Sequence, residues 1–143
     1  MDVDVTPLPV EPAELIQHWR LVRHGLKEII VRFPQRWIPE DVYMQVKLGN
    51  AELVMFQKEG RSIGFFVGAP TLTLFMNERQ YFLWAIWRAP KATVTKANRY
   101  QAIDIIKARA RHFQCSEITF GTARKGFHFY GAEDDYQFCR MKL

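Results

Sequence analysis

From Ala13 to about Phe33 the apolar residues Leu15, Trp19, Leu21, Val22, Leu26, Ile29 and Ile30 recur at spacings of three, four and seven. That is the period of an amphipathic helix with one buried stripe, and Pro34 ends it. Ahead of it, "VDVTPLPV" alternates apolar and polar positions and is interrupted by Pro7 and Pro9, which predicts a short edge strand. Behind it, "PEDVYMQVKLGN" predicts a second, shorter helix. Pro39 sits in its first turn, the acids Glu40 and Asp41 lie at the positive end of its dipole, and Gly49 or Asn50 stops it.

Residues 51 to 89 switch to a strand pattern. "AELVMFQ" and "SIGFFVGA" flank "KEGR", where Gly60 can take positive φ, so they predict an antiparallel hairpin. "TLTLFM", the polar turn "NERQ" and "YFLWAIWRA" predict two further strands. Strict alternation in the last of these puts Phe82, Trp84 and Ile86 on one face and Tyr81, Leu83, Ala85 and Trp87 on the other. After Pro90 the period is helical again. Thr95 is the cap, Ile103, Ile106, Ala110 and Phe113 form the inner face, and Asp104, Lys107 and Arg111 form the outer one. "SEITFG" reads as a strand, "TARKGFHFYG" as a turn or short helix, and "DYQFCRMKL" as a last strand. The order implies an α/β (α+β) fold with a mixed, mostly antiparallel central sheet flanked by helices and one parallel strand-helix-strand crossover. At 143 residues and 48% hydrophobic, the chain is expected to form one domain over residues 1–143.

Charge sharpens this picture. Between Lys91 and Arg111 lie six cations, Lys91, Lys96, Arg99, Lys107, Arg109 and Arg111, against the single acid Asp104. That segment's excess equals the +5 of the whole chain, so the basic character is one local patch suited to an anionic ligand, a polyanion or an acidic partner. The acidic, proline-rich start "MDVDVTPLPVEPAEL" lacks the form of a signal peptide, and no run of about eighteen apolar residues is present. A soluble, cytoplasmic protein without a membrane partner is expected. Cys115 and Cys139 lack metal-ligand spacing and read as buried, reduced thiols, so no metal site is expected.

In a crossover fold a ligand sits at the carboxyl ends of the parallel strands, beside the start of the crossover helix. Here that place is residues 87 to 99. The order of elements resembles the GNAT superfamily of N-acetyltransferases over nearly the whole chain. "IPEDVYMQVKLGNAELVMFQKEGRSIGFFVGA" is similar to the second helix, strand and hairpin of that fold. "IDIIKARARHFQCSEITFGTARKGFHFYGA" resembles a helix, cysteine, strand and Gly-x-x-Arg turn of GNAT-like proteins encoded by bacteriophages near virion genes, which would place the chain in a host bacterial cytoplasm or a virion. The resemblance implies acetyl-CoA bound at Trp87, Arg88, Lys91, Thr93, Thr95, Lys96, Asn98 and Arg99, with an amine as acceptor.

Two departures from the family pattern stand out. Its glycine-rich pyrophosphate turn is absent, since no glycine lies between Gly68 and Gly121, although Lys91, Lys96 and Arg99 offer charge in its place. The family's acidic tyrosine, counted four residues back from Gly131, falls on Phe127, leaving Tyr130 as the nearby candidate acid. Glu40, Glu78 and His128 are candidate bases, of which Glu40 is also a plain helix-start acid and Glu78 a plain turn residue. His18 and His24, among arginines on the first helix, read as solvent-facing. Three readings stay open: an acyltransferase, a GNAT fold that has lost its chemistry and serves as a binding or virion-associated component, and a nucleic-acid binder using the basic helix. The third is disfavoured by the absence of a nucleic-acid motif and the modest charge.

Overall fold

Pro7 and Pro9 have no amide proton, so a strand holding both bonds through its amides to one neighbour at most. In the computed structural model, which describes residues 3–72 and 78–121, Thr6–Val10 (β1) accordingly forms one edge of a five-stranded sheet, antiparallel to Glu52–Lys58 (β2). Between them a 3-10 turn at Pro12–Glu14 leads into Leu15–Arg32 (α1), and Pro39–Lys47 (α2) follows. The Asp41 carboxylate accepts the Ile38 amide at 2.9 Å and so satisfies one orphan donor at the start of α2.

β2 turns into Arg61–Leu72 (β3) through Glu59 and Gly60, whose φ values of 54° and 75° define the two-residue turn that matches strand twist. Glu59 carries a side chain in the left-handed region. Glu59→Asn is therefore expected to stabilise the protein by about 1 kcal/mol, read as a higher urea midpoint at unchanged slope.

Arg79–Arg88 (β4) pairs antiparallel with β3, Lys96–His112 (α3) crosses over, and Glu117–Thr119 (β5) returns parallel to β4. The spatial order is β1-β2-β3-β4-β5. The mixed, mostly antiparallel sheet with one parallel crossover is thus present. The strand count differs: "SIGFFVGA" and the start of "TLTLFM" belong to the single strand β3, which runs through Pro70. Pro70 is tolerated because β2 already ends at Glu52, opposite Gly68, so Pro70 has only β4 as a neighbour. Residues 73–76 of the expected separate strand, the last strand, the short helix before it and Cys139 lie outside the described residues.

The sheet is covered on both sides. Leu26, Val22, Val42 and Val46 of α1 and α2 pack on Leu53 and Phe65, while Ile106 and Ala110 of α3 pack on Val54 and Phe66. Phe65, Phe66 and Val54 are fully buried, and each such side chain contributes about 1.5–3 kcal/mol over its exposed state.

One expectation about faces is corrected. Val67 pairs with Ala85 but Gly68 pairs with Leu83, so Trp84 is an extra residue in β4, a β-bulge. The bulge reverses the alternation. Tyr81 and Leu83 face α3, whereas Ala85 and Trp87 face α1, and Trp84 packs edge-on against Trp37 with ring centroids 5.7 Å apart.

A polar cluster sits in the α3 layer. The Tyr81 hydroxyl donates to Glu52 Oε2 at 2.5 Å, and Arg109 donates to Glu52 Oε1 at 2.7 Å. Burial, then the hydrogen bond to Glu52, pushes the Tyr81 phenol far up, so it stays protonated and donating. Arg109, one of the six cations of the basic segment, is thereby a core tie rather than a surface charge.

Candidate functional site

β4 pairs with β5 only from Gln80 to Phe82; from there to Arg88 it keeps β3 on one side and, among the described residues, has no strand on the other. The chain turns at Ala89–Ala92, where the Ala92 amide donates to the Ala89 carbonyl at 3.1 Å, and enters α3 at Thr95. Thr95 Oγ1 accepts the Asn98 amide at 3.1 Å and Asn98 Oδ1 accepts the Thr95 amide at 3.2 Å, a reciprocal cap that sets the helix start rigidly. No residue from 89 to 95 has positive φ, so the turn does not form a left-handed anion nest, and charge must come from side chains and the helix end.

A cleft of about 1010 Å³ opens in this corner, around the carboxyl end of β4. α1 forms one wall with Glu28, Ile29 and Arg32, and the start of α3 forms the other with Lys96 and Arg99. Four cations, Arg32, Arg88, Lys96 and Arg99, line it against one acid, Glu28. The three of these away from α1, Arg88, Lys96 and Arg99, suit an elongated ligand carrying several negative charges, and the chemistry of acetyl-CoA, with its phosphates, fits them.

Of the residues expected to hold the cofactor, Trp87, Arg88, Lys96, Asn98 and Arg99 line the cleft. Lys91, Thr93 and Thr95 are not among its lining residues. Thr93 gives its carbonyl to Lys58 Nζ at 3.1 Å, and Thr95 is the cap. Asn98 is 1% exposed and fully engaged: besides the cap, its Oδ1 accepts from Lys58 Nζ at 2.8 Å and its Nδ2 donates to the Val3 carbonyl at 3.0 Å. It is a clasp joining the hairpin, the N-terminal segment and α3. Trp87 is buried where it lines the cleft. Tyr130, Phe127 and His128 lie outside the described residues.

The structure does not bring Glu40 to the cleft. It is exposed at the start of α2, where the Arg23 guanidinium donates to it at 3.0 Å and holds its carboxyl below the usual glutamate value. A base is weakened by such a partner. Cys115 is half-buried, with its thiol pushed up by burial, and among the described residues no group of metal-ligating side chains occurs.

Glu28 and Arg32 are the site residues that sequence reasoning missed. The Trp87 indole donates to Glu28 Oε2 at 2.7 Å, and Glu28 Oε1 lies 3.1 Å from His24 Nε2. His24, expected to be a plain solvent-facing residue, is exposed yet orients the acid of the cleft. Two glycines make this geometry possible. A Cβ on Gly25 would stand 2.6 Å from the Phe65 ring and 2.7 Å from the Trp87 ring, so only glycine lets α1 approach the sheet here. A Cβ on Gly64 would stand 2.3 Å from the Trp87 carbonyl. The heptad-like pattern of α1 marked its inner stripe, but a glutamate one residue before Ile29 gave no signal in sequence that it faces a cleft.

No known protein-family profile matches the chain, and no curated protein matches it. Many solved structures do. A ribosomal-protein-alanine N-acetyltransferase from Brucella melitensis biovar Abortus 2308 superposes with a TM-score of 0.70 at 13% identity, over 97% of this chain and 99% of that one. A predicted acetyltransferase from Clostridium acetobutylicum, solved with acetyl-CoA, gives 0.71 at 10% identity, covering 97% and 96%. An aminoglycoside acetyltransferase from an uncultured soil metagenomic sample gives 0.68 at 11% identity, with the same coverages. At these identities the likeness is one of fold, and the fold is that of the GNAT acetyltransferases.

Proposed function

We propose that this chain, built on the GNAT acetyltransferase fold, is an N-acetyltransferase that takes acetyl-CoA into the cleft at the end of β4 and passes the acetyl group to an amine. The observation that carries the reading is the cleft itself, on this fold, with cations at the rigidly capped start of α3. Lys96 and Arg99 would hold phosphate groups there, and Arg88 would add charge at the strand end. The glycine-free turn then matters less, because guanidinium and ammonium groups supply what a backbone nest supplies elsewhere. Tyr130 remains the candidate to return a proton to the departing thiolate.

Melting in millimolar acetyl-CoA tests this. At a hundredfold excess over the dissociation constant, binding stabilises by about 2.7 kcal/mol, a rise of roughly 5–10 °C. Lys96→Glu and Arg99→Glu are each expected to remove most of that rise. A wild-type melt unmoved by acetyl-CoA would sink the proposal. A rise without thiol release toward any amine would instead favour a GNAT-fold protein that binds the cofactor and has lost transfer, the reading that the missing glycines and Phe127 favour.

A further inference from the structure

We propose that the acceptor is a free amino acid, read at its ammonium by Glu28 and at its carboxylate by Arg32; this rests on the acetyltransferase reading above. Glu28 is the only carboxylate among the described lining residues of the cleft, and Arg32 lies one helical turn further along the same wall of α1. Glutamate followed four residues later by arginine is the order in which the two side chains ordinarily pair with each other. Here they do not. Glu28 is turned to the Trp87 indole and to His24, and among the described residues no ion pair joins Arg32 to a carboxylate.

Glu28 and Arg32 therefore line one wall of the cleft without pairing to each other, with the apolar Ile29 between them in sequence on the same wall. An ammonium and a carboxylate carried on one carbon present the complementary pair of charges. The cations at the start of α3 belong to the other wall.

The geometry also gives Glu28 a proton to take. Its Oε2 accepts the indole N–H and its Oε1 lies 3.1 Å from His24 Nε2; each carboxylate oxygen has a second lone pair, and one of these accepts a proton from the ammonium. The freed nitrogen pair forms the bond to the thioester carbonyl carbon as the carbon–sulfur bond breaks. The electron pair leaves on sulfur, nitrogen loses its second proton as that thiolate gains one, and the products are an N-acetyl amino acid, a free thiol and one proton on Glu28.

Two measurements on the purified full chain test this. Titration calorimetry with the twenty amino acids and with their α-amides, which keep the amine and lose the carboxylate, reads the site without turnover. At least one amino acid is expected to bind at least tenfold more tightly than its amide, and Arg32→Gln should abolish that preference. Thiol release from acetyl-CoA in the presence of that amino acid is then expected to fall a hundredfold or more in Glu28→Gln, while Arg32→Gln raises KM tenfold with kcat within about threefold. Both variants should keep the melting rise with acetyl-CoA. Amides binding as tightly as amino acids, or no amino acid binding by a protein that acetyl-CoA does stabilise, would overturn the proposal. Amino-acid binding without any acetyl-CoA effect would keep the zwitterion site and overturn the transfer reaction instead.

Discussion

Gly68→Ala is expected to destabilise the protein by about 4 kcal/mol, a large part of the 5–15 kcal/mol that holds a domain together. A Cβ at this position would stand 2.1 Å from the Tyr81 hydroxyl and 2.2 Å from the ring carbon that bears it. The ring cannot swing aside cheaply, because its hydroxyl is tied to Glu52, Glu52 is tied to Arg109, and Tyr81 is completely buried. The methyl group therefore has to break a charge-assisted hydrogen bond or force β3 from β4. Urea denaturation of Gly68→Ala, Tyr81→Leu and the double variant separates these effects. The double variant should be more stable than the sum of the single losses predicts, because leucine returns the space that alanine takes. A Gly68→Ala protein that unfolds at the wild-type midpoint would show that a methyl group fits beside the Tyr81 ring.

Gly25→Ala is expected to cost about 2 kcal/mol and to impair the cleft at the same time. Two effects oppose each other. Alanine gains about 1 kcal/mol of helix propensity over glycine in the middle of α1. Overpacking against two aromatic rings costs up to about 3 kcal/mol, and it wins because Phe65 and Trp87 already lie in tilted contact at 5.5 Å with no space to yield. Relief by lifting α1 would pull Glu28 from the Trp87 indole, a 2.7 Å bond. The variant should therefore melt roughly 4–8 °C lower and, where it is still folded, bind the amine acceptor more weakly while keeping much of its acetyl-CoA rise, since Lys96 and Arg99 stand on the other wall. An unchanged melting temperature would mean that α1 has room to move, and that glycine at this position is incidental.

Glu28 and Arg109 show where sequence reading reached its limit. Both are charged residues on amphipathic helices, and the periodicity treats both as surface. In the fold Arg109 points into the α3 layer to neutralise Glu52, and Glu28 borders a cleft. The difference depends on what stands opposite across the sheet, 57 and 59 residues away along the chain, which no local pattern encodes. Trp84 is a similar case. Alternation in "YFLWAIWRA" is a local property and gave a single face for Tyr81, Leu83, Ala85 and Trp87, whereas the pairing of β3 with β4 inserts a bulge that divides them.

What the sequence determined by itself was the order of most of the elements, although two of its expected strands merged into β3. Helix periods, the Thr95 cap, the Pro39 start and the Glu59-Gly60 turn are local: each is decided by residues within a few positions, and each is present in the structure. Those elements, with one strand-helix-strand unit, pointed to residues 87 to 99, of which Trp87, Arg88, Lys96, Asn98 and Arg99 are among the residues lining the cleft. Which side chains line it was settled only by tertiary packing. The close approach of α1 permitted by Gly25, the bulge at Trp84 and the clasp at Asn98 arise from contacts between distant segments, and those contacts decide whether a charge meets solvent, a partner or a ligand.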